Sequence, residues 1–326
     1  MAGCAVLLKP SEITSRFAAP LQAALAEVSE LEQVFEIVLG GGETGAQVVT
    51  NVDAICFTGS VATGRKVGAA AAQAFIPAFL ELGGKDPAVV LESADIDRAT
   101  TALLRGSIAN TGQACQSIER IYVAESIADA FEAQLVEKAN AVTLNAQDMQ
   151  HGQLGPFIFE QQAKIVGAQL EDAKSKGARV LAGGTVEDHG GQWLRPTVLA
   201  GVSTDMAVMT EETFGPVLPI TRFDSVDDAV AMANDSQYGL SGAVFAGTVD
   251  EAEEVAARLD VGAVSINDAS LTSMMYEAEK NSFKLSGLGA SRMGASGLTR
   301  FLRKQAILIN EGAVAPIAAF DEANAG

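Results

Sequence analysis

Short apolar runs alternate with amphipathic segments along most of this chain, and that alternation limits its fold more than any other feature. An apolar run at 34–39 ends in three glycines at 40–42. A second run at 54–57 ends in Thr-Gly-Ser at 58–60, after which 61–75 has helical periodicity. Strands that alternate with helices are typical of βαβ units and a largely parallel sheet. The sequence therefore predicts an α/β fold.

The same pattern extends to both sides of a loop at 110–117. Strands are predicted at 4–8, 34–39, 54–57, 78–82, 87–91, 178–182, 243–245 and 263–267. Helices are predicted over 17–28, 61–75, 127–141, 161–176, 226–234 and 249–259. Because Cys4 and Cys56 stand in apolar runs, we expect the first strand to be buried and Cys56 to be a core residue.

Charge and cysteine content exclude several classes of protein. The formal charge of −19 and the pI near 4.4 argue against nucleic acid and anionic membranes as partners. Three cysteines without a Cys-x-x-Cys pair predict a reducing, cytoplasmic location. Two histidines in loop-like sequence predict that there is no zinc site. The longest uncharged stretch, 67–80, is too short to span a bilayer.

One cysteine stands in a polar loop that contains glycine, Asn-Thr-Gly-Gln-Ala-Cys-Gln-Ser at 110–117. A thiol needs a base or a lowered pKa to act as a nucleophile, and no histidine precedes Cys115. The candidate base is Glu81, which ends an apolar run in Phe-Leu-Glu-Leu-Gly-Gly-Lys-Asp-Pro at 79–87. Cys115 as a buried spacer remains an alternative. A caspase-like protease does not fit, because Ser117 stands where that signature requires glycine.

The turn at 57–60, Phe-Thr-Gly-Ser, is the main candidate for phosphate binding. Between a strand and a helix, its backbone N–H groups and the helix N-terminus favour a pyrophosphate. A P-loop is not complete, because Arg65 and Lys66 stand where lysine and Ser or Thr are required after Gly59 and Gly64. A tight turn without a ligand remains the alternative.

Together these segments resemble the aldehyde dehydrogenase family, from about residue 1 to 310. Further matches are Glu-Glu-Thr-Phe-Gly-Pro-Val at 211–217, Ala-Asn-x-x-x-Tyr-Gly-Leu at 233–240, the strand at 262–267 that ends in Asn, and Phe-Lys-x-Ser-Gly-Leu-Gly at 283–289. The resemblance implies an aldehyde-dehydrogenase-like α/β fold, with a partial Rossmann-type cofactor domain and an α/β catalytic domain.

The implied domain boundaries follow from the Gly-Gly turn and the C-terminal motifs. Residues 1–83 would form the partial dinucleotide-binding domain and 84–283 the catalytic, thiol-bearing domain. Residues 284–310 would be a return segment that contains an oligomerisation strand at 305–310. Residues 311–326, rich in Ala and Pro, would be a loose tail.

The resemblance also implies the chemistry. The Cys115 thiolate would add to an aldehyde, hydride would pass to a nicotinamide, and water activated by Glu81 would hydrolyse the thioester to a carboxylic acid. The Cys115 backbone N–H would supply half of an oxyanion hole.

A set of residues is implied to bind the cofactor, with Glu212 on the nicotinamide ribose and Phe214 beside it. Lys9 and Glu12 would hold the adenosine ribose, although Lys-Pro-Ser-Glu at 9–12 is also a plausible helix start with Ser11 as its cap. Because Glu12 would repel a 2′-phosphate, NAD is expected rather than NADP. The full implied set is Lys9, Ser11, Glu12, Gly42, Phe57, Gly59, Ser60, Leu82, Glu212 and Phe214.

The sequence departs from the family pattern at its start. Family members carry a long segment before the position of Lys9, including a Pro-Trp-Asn motif whose asparagine completes the oxyanion hole. The one tryptophan here, Trp193, lies downstream in an unrelated motif. Two expectations follow. One is an NAD-dependent aldehyde dehydrogenase, homo-oligomeric in a full-length form. The alternative is a truncated, catalytically inactive remnant that at most binds nucleotide or associates with intact subunits.

Overall fold

The structure, a computed structural model, describes residues 2–322 and confirms the α/β class. Its strands are β1 (Val6–Leu8), β2 (Phe35–Ile37), β3 (Ile55–Thr58), β4 (Ala78–Glu81), β5 (Asp86–Val90), β6 (Ile118–Ala124), β7 (Arg179–Ala182), β8 (Val186–Asp188), β9 (Gln192–Leu194), β10 (Thr197–Ala200), β11 (Val217–Phe223), β12 (Tyr238–Gly239), β13 (Gly242–Phe245), β14 (Val264–Ile266), β15 (Phe283–Lys284) and β16 (Gly287–Leu288). Its helices are α1 (Ala18–Ala26), α2 (Gly42–Val49), α3 (Val61–Gln73), α4 (Ile96–Ile108), α5 (Glu125–Ala141), α6 (Glu160–Ser175), α7 (Ala207–Thr210), α8 (Val226–Asn234), α9 (Val249–Ala256) and α10 (Ser296–Thr299).

A seven-stranded sheet in the order β14-β13-β5-β6-β11-β10-β7 forms the larger part of the molecule. All its neighbouring strands are parallel except β7, which runs antiparallel to β10. Every residue of β5 and β6 is buried, because apolar clusters cover both faces of the sheet. Helices α4 and α5 lie over one face, and α6, α8 and α9 contribute to the cluster on the other. Such two-sided burial is normal for parallel sheets.

The N-terminal elements form two smaller sheets. Strands β1 and β2 pair in parallel, and a separate sheet has the order β16-β4-β3 with β3 parallel to β4. Strand β4 ends at Glu81 and β5 begins at Asp86, so the intervening turn passes from one sheet to another. The division into domains at 83 stays a prediction.

Two expectations of burial are wrong. The first strand covers only Val6–Leu8, Val6 is 45% exposed and Cys4 is exposed. Cys56 is also exposed rather than in the core. Both errors have the same cause. Strand β1 belongs to a two-stranded sheet and β3 is an edge strand, so neither is packed on both faces as an apolar run would suggest.

Residues 305–310 have no regular secondary structure in this single chain, and the oligomerisation strand expected there, which would form only against another subunit, stays a prediction. Ile307, Leu308 and Ile309 are 82%, 92% and 80% exposed. Of the predicted tail, residues 317–320 form a short 3-10 turn, and 323–326 lie outside the described residues. Within 2–322, none of the helices is long and apolar enough to cross a membrane.

Candidate active site

The turn from Leu82 to Gly84 brings the predicted functional segments together. On one side, the Leu82 side chain fills the space beside Gly64 of α3, where a Cβ would stand 2.5 Å from its Cδ2. In the middle, the Glu212 carboxylate lies on the backbone and accepts a hydrogen bond from Gly84 N at 3.3 Å. On the far side, the carbonyl oxygen of Cys115 lies 2.5 Å from where a Gly84 Cβ would be. The turn therefore contacts helix α3, Glu212 and the thiol loop.

The thiol loop has an unusual backbone held by its own polar groups. Asn110 and Thr111 have positive φ angles of 53° and 61°, and Gly112 follows at 68°. The Asn110 side chain donates to the Gln113 carbonyl at 2.9 Å. Gly112 packs on Gly215 so closely that a side chain would collide with its carbonyl. The loop that carries Cys115 is thereby fixed against the loop that carries Phe214.

The Cys115 thiol is half-buried and surrounded by charges of both signs. Burial raises its pKa, and the Asp86 and Glu212 carboxyls raise it further. Lys280 and Arg292 act in the opposite direction. In this structure the thiol is therefore not an activated thiolate, and its nucleophilicity depends on a base or a change in these charges.

Glu81 lies at the end of β4, paired with Gly287 of β16. Its carboxylate is 24% exposed at the side chain and lies 3.9 Å from the Arg292 guanidinium. Because Arg292 also acts on the Cys115 thiol, the predicted base and nucleophile share one cationic neighbour. The sequence analysis missed Arg292, which no motif singled out.

Asp86 is a second carboxyl near the thiol that the sequence analysis missed. It is fully buried and accepts hydrogen bonds from the Ser241 backbone N–H, at 3.1 Å, and from the Ser241 hydroxyl. Burial raises its pKa to about 7 in spite of these bonds. Its signal in the sequence was an acidic residue directly before an apolar strand, a pattern that normally indicates an exposed turn.

The turn at 57–60 lies next to Glu81. Gly59 N donates to the Glu81 carbonyl at 3.1 Å, and the Phe57 ring covers Gly59 so that a Cβ there would lie 2.6 Å from the ring. Ser60 is the N-cap of α3 and accepts a hydrogen bond from Thr63 N at 3.3 Å. The N-terminus of α3 thus follows this turn directly, with the Phe57 ring over Gly59, and a helix N-terminus favours anions.

Helix α2 offers a second N-terminus of the same kind. Its N-cap is Gly41 and its first residue is Gly42, and open space surrounds the position of a Cβ at both. Both helices directly follow strands of parallel pairs, where α/β proteins bind nucleotides. The residues present thus fit a dinucleotide with its phosphates near these N-termini.

Lys9 and Glu12 follow β1, in the other small sheet. Lys9 Nζ lies 3.3 Å from the Glu12 carboxylate, and its aliphatic chain lies beside Gly45 of α2. A backbone hydrogen bond and Lys9 lower the pKa of Glu12, so this carboxyl is negatively charged at neutral pH. Ser11 accepts from Ile13 N at 3.2 Å in a local turn, and the next α-helix begins only at Ala18. Ser11 is therefore not the cap of that helix.

Comparison with known proteins identifies the family. The model of the aldehyde dehydrogenase family matches residues 1–307. A protein of Mycolicibacterium smegmatis named "Putative succinate-semialdehyde dehydrogenase (NADP(+))" is 38% identical over 310 residues, 94% of this chain and 60% of that protein. Lactaldehyde dehydrogenase of Escherichia coli is 35% identical over 313 residues, 95% of this chain and 65% of that protein.

Comparison with solved structures finds aldehyde dehydrogenases as well. "Putative Aldehyde Dehydrogenase PutA" from Anabaena variabilis has a TM-score of 0.95 at 57% identity, over 98% of this chain and 68% of that one. An aldehyde dehydrogenase of Mycobacterium tuberculosis in complex with NAD+ has a TM-score of 0.90 at 33% identity, over 96% and 65%. The chain belongs to the aldehyde dehydrogenase family, which confirms the resemblance and the expected fold. It spans about 60% of the length of the Mycolicibacterium smegmatis relative.

Proposed function

We propose that this protein takes part in the NAD-dependent oxidation of an aldehyde to a carboxylic acid, with Cys115 as nucleophile and Glu81 as base. The observation that supports this most is the contact of Glu212 and the Cys115 carbonyl with the same Gly83-Gly84 turn. The carboxylate proposed to bind the nucleotide and the thiol loop thereby lie against one backbone, as transfer of hydride between a bound aldehyde and a cofactor requires.

The thiol would lose its proton to Glu81 or to solvent, and its sulfur would add to the aldehyde carbon to form a tetrahedral thiohemiacetal. The Cys115 backbone N–H is one donor for the oxygen that becomes negatively charged. A nicotinamide held by Glu212 and Phe214 would supply the hydride acceptor, and the loss of hydride from the tetrahedral adduct would leave a thioester on the Cys115 sulfur. Glu81 would then take a proton from water, whose oxygen attacks the thioester carbon, and the acid and the free thiolate are released.

For the cofactor, the charged Glu12 beside Lys9 supports NAD over NADP, because it would face a 2′-phosphate with a like charge. Among the relatives, one is named for NADP(+) and another was solved with NAD+. The exposed Ile307, Leu308 and Ile309 support association with another subunit. The three free cysteines support a reducing, cytoplasmic location.

A second candidate is nucleotide binding without turnover, alone or in association with intact subunits. It is favoured by the raised pKa of the Cys115 thiol and by the separation of the β1–β2 pair from the β3–β4 sheet. Both features would weaken chemistry more than binding, because hydride transfer needs the nicotinamide held at contact distance.

The test measures reduced nicotinamide with a panel of aliphatic and aromatic aldehydes, and NAD binding by calorimetry in parallel. Turnover that Cys115→Ser abolishes supports the first candidate. Glu81→Gln should retain a burst of hydride transfer and lose steady-state hydrolysis. Binding without turnover supports the second candidate, and the absence of both contradicts the proposal.

A further inference from the structure

A buried ion pair lies beneath the loop that carries Glu212. Lys85 Nζ is 2.7 Å from the Glu119 carboxylate, and the two residues are 1% and 3% exposed. Lys85 directly follows Gly84, and Glu119 is the second residue of β6. Because the attraction of a buried pair only partly offsets the loss of hydration, such a pair is weak evidence for stability and suggests another role.

Both charged groups also hold the two residues that follow Glu212. The Glu119 carboxylate accepts the backbone N–H of Thr213 and that of Phe214, each at 2.8 Å. Lys85 donates to the Thr213 hydroxyl at 2.8 Å. Phe214 has a φ of 51°, which residues other than glycine rarely adopt. The two bonds to Glu119 stabilise this otherwise unfavourable backbone.

Helix α6 holds the same loop from its other side. The Gln162 side chain donates to the Thr213 carbonyl at 2.7 Å, and Gln169 donates to the Glu212 carbonyl at 3.3 Å. With its amides held by Glu119 and its carbonyls by α6, the loop backbone has little freedom. The Glu212 side chain then extends from a fixed base to the amide of Gly84.

We propose that Glu119 and Lys85 are positioning residues that hold the 212–214 loop so that the Glu212 carboxyl lies on the Gly84 amide. Their two charges also bias the protonation of Glu212 in opposite directions. The inference deepens the proposed nucleotide site and rests on it only for the role of Glu212 in binding. The positioning itself concerns groups that are already in contact in the free protein.

The electrostatics around Glu212 agree with this geometry. Burial, and then the negative charge of Glu119, raise the pKa of Glu212 to about 7. The hydrogen bond from Gly84 and the positive charge of Lys85 act in the opposite direction. Tyr238 of β12 also faces Glu212, and burial raises its own pKa, so it is uncharged at neutral pH. The pKa of Glu212 therefore lies close to neutral pH, where the charges of Glu119 and Lys85 can change its protonation state.

The test follows the Glu212 carboxyl directly, in the full chain without cofactor. Glutamate labelled with 13C at the carboxyl is titrated by NMR, and Glu212→Gln assigns the resonance. Glu119→Gln should move the midpoint to lower pH and Lys85→Met to higher pH, each by about half a pH unit or more. Thr213→Val is the matched control, because it removes one partner of Lys85 and leaves both charges. Its midpoint should stay at the wild-type value.

Shifts in the same direction, or no shift, would overturn the inference. If either single variant fails to fold, the double variant Lys85→Met/Glu119→Leu is used to test the inference, because an apolar pair is often tolerated where an ion pair was buried. This double variant removes the acceptor of both loop amides, so hydrogen exchange at Thr213 and Phe214 should accelerate at least about tenfold. Unchanged protection would show that the loop is held without the pair.

A calorimetric titration with NAD separates this inference from the proposed function. If the wild type binds NAD, Lys85→Met/Glu119→Leu should weaken binding about tenfold through misplacement of Glu212. Binding equal to that of the wild type overturns the link to the nucleotide site. If the wild type binds no NAD, the proposed function fails, while the carboxyl titration still tests the effect of the two charges on Glu212 and hydrogen exchange still tests whether the pair holds the loop.

Discussion

The side chain of Glu212 reaches a backbone amide 128 residues earlier in the chain, where it accepts a hydrogen bond from Gly84 at 3.3 Å. The contact needs a bare turn: a side chain at Gly83 would collide with the carboxyl, and one at Gly84 would collide with the Cys115 carbonyl. One short turn thus sets the relative position of a nucleotide-binding candidate and a thiol loop.

The two glycines of this turn should differ in their tolerance of alanine. At Gly84 the obstacle is the Cys115 backbone, 2.5 Å from a Cβ, so Gly84→Ala should destabilise the fold by about 1–3 kcal/mol. At Gly83 the obstacle is the end of the flexible Glu212 side chain, so Gly83→Ala should cost less. Urea unfolding measures both. Gly167→Ala in α6, with open space around it, is the control and should be neutral or stabilising by up to about 1 kcal/mol. Equal losses at 83 and 84 would contradict the geometry.

The charges around Cys115 should control the reactivity of its thiol. Because burial and the Asp86 carboxyl raise its pKa, alkylation should have a midpoint at higher pH than in the urea-unfolded chain. Asp86→Asn should move this midpoint to lower pH, and Lys280→Met to higher pH. The rate of alkylation by iodoacetamide is measured against pH in a Cys4→Ser/Cys56→Ser background, so that only Cys115 reacts. Shifts in one direction for both variants would exclude a direct electrostatic effect.

Asp86 should make the protein less stable as the pH rises. Its pKa is 3.8 ordinarily and about 7 when folded, so between these values the folded state retains a proton that the unfolded state has lost. The free energy of unfolding therefore falls with rising pH across this window, by roughly 2–4 kcal/mol, and levels above pH 7. Asp86→Asn should remove this part of the slope.

Urea unfolding of the wild type and Asp86→Asn between pH 4.5 and 8 measures this pH dependence of stability. Asp53→Asn, at an exposed position, is the control. Glu212, whose pKa is also raised to about 7, should leave a residual slope in the variant. A slope unchanged by Asp86→Asn would show that Asp86 ionises normally in the folded protein.

Glu12 should set the choice of cofactor. Repulsion of a 2′-phosphate predicts about a 5- to 150-fold preference for NAD over NADP, which Glu12→Gln should narrow. Calorimetric binding constants for both dinucleotides measure it, with Glu30→Gln, an exposed carboxylate elsewhere, as control. Stronger binding of NADP by the wild type would contradict the assignment of Glu12.

Elements with a clear periodicity were predictable from the sequence. Helix α3 was expected over 61–75 and observed over Val61–Gln73, and the helix at 226–234 has the predicted bounds. Helix α4 and strands β6, β10 and β11 were missed. In β6 and β11, charged residues interrupt the apolar run, and only the tertiary contacts of those residues make burial possible. Arg120 of β6, for example, donates to the carbonyl oxygens of Lys85, Met232 and Ala233.

The sequence by itself determined the α/β class, the family, the thiol loop and the order of the motifs, because periodicity and local turn chemistry are properties of neighbouring residues. Only the tertiary structure decided which charges surround Cys115, that Cys56 is exposed, and that Glu119 and Lys85 hold the loop after Glu212. Those relations join residues far apart in the chain. Burial and electrostatics depend on what packs across that distance, which no local pattern records.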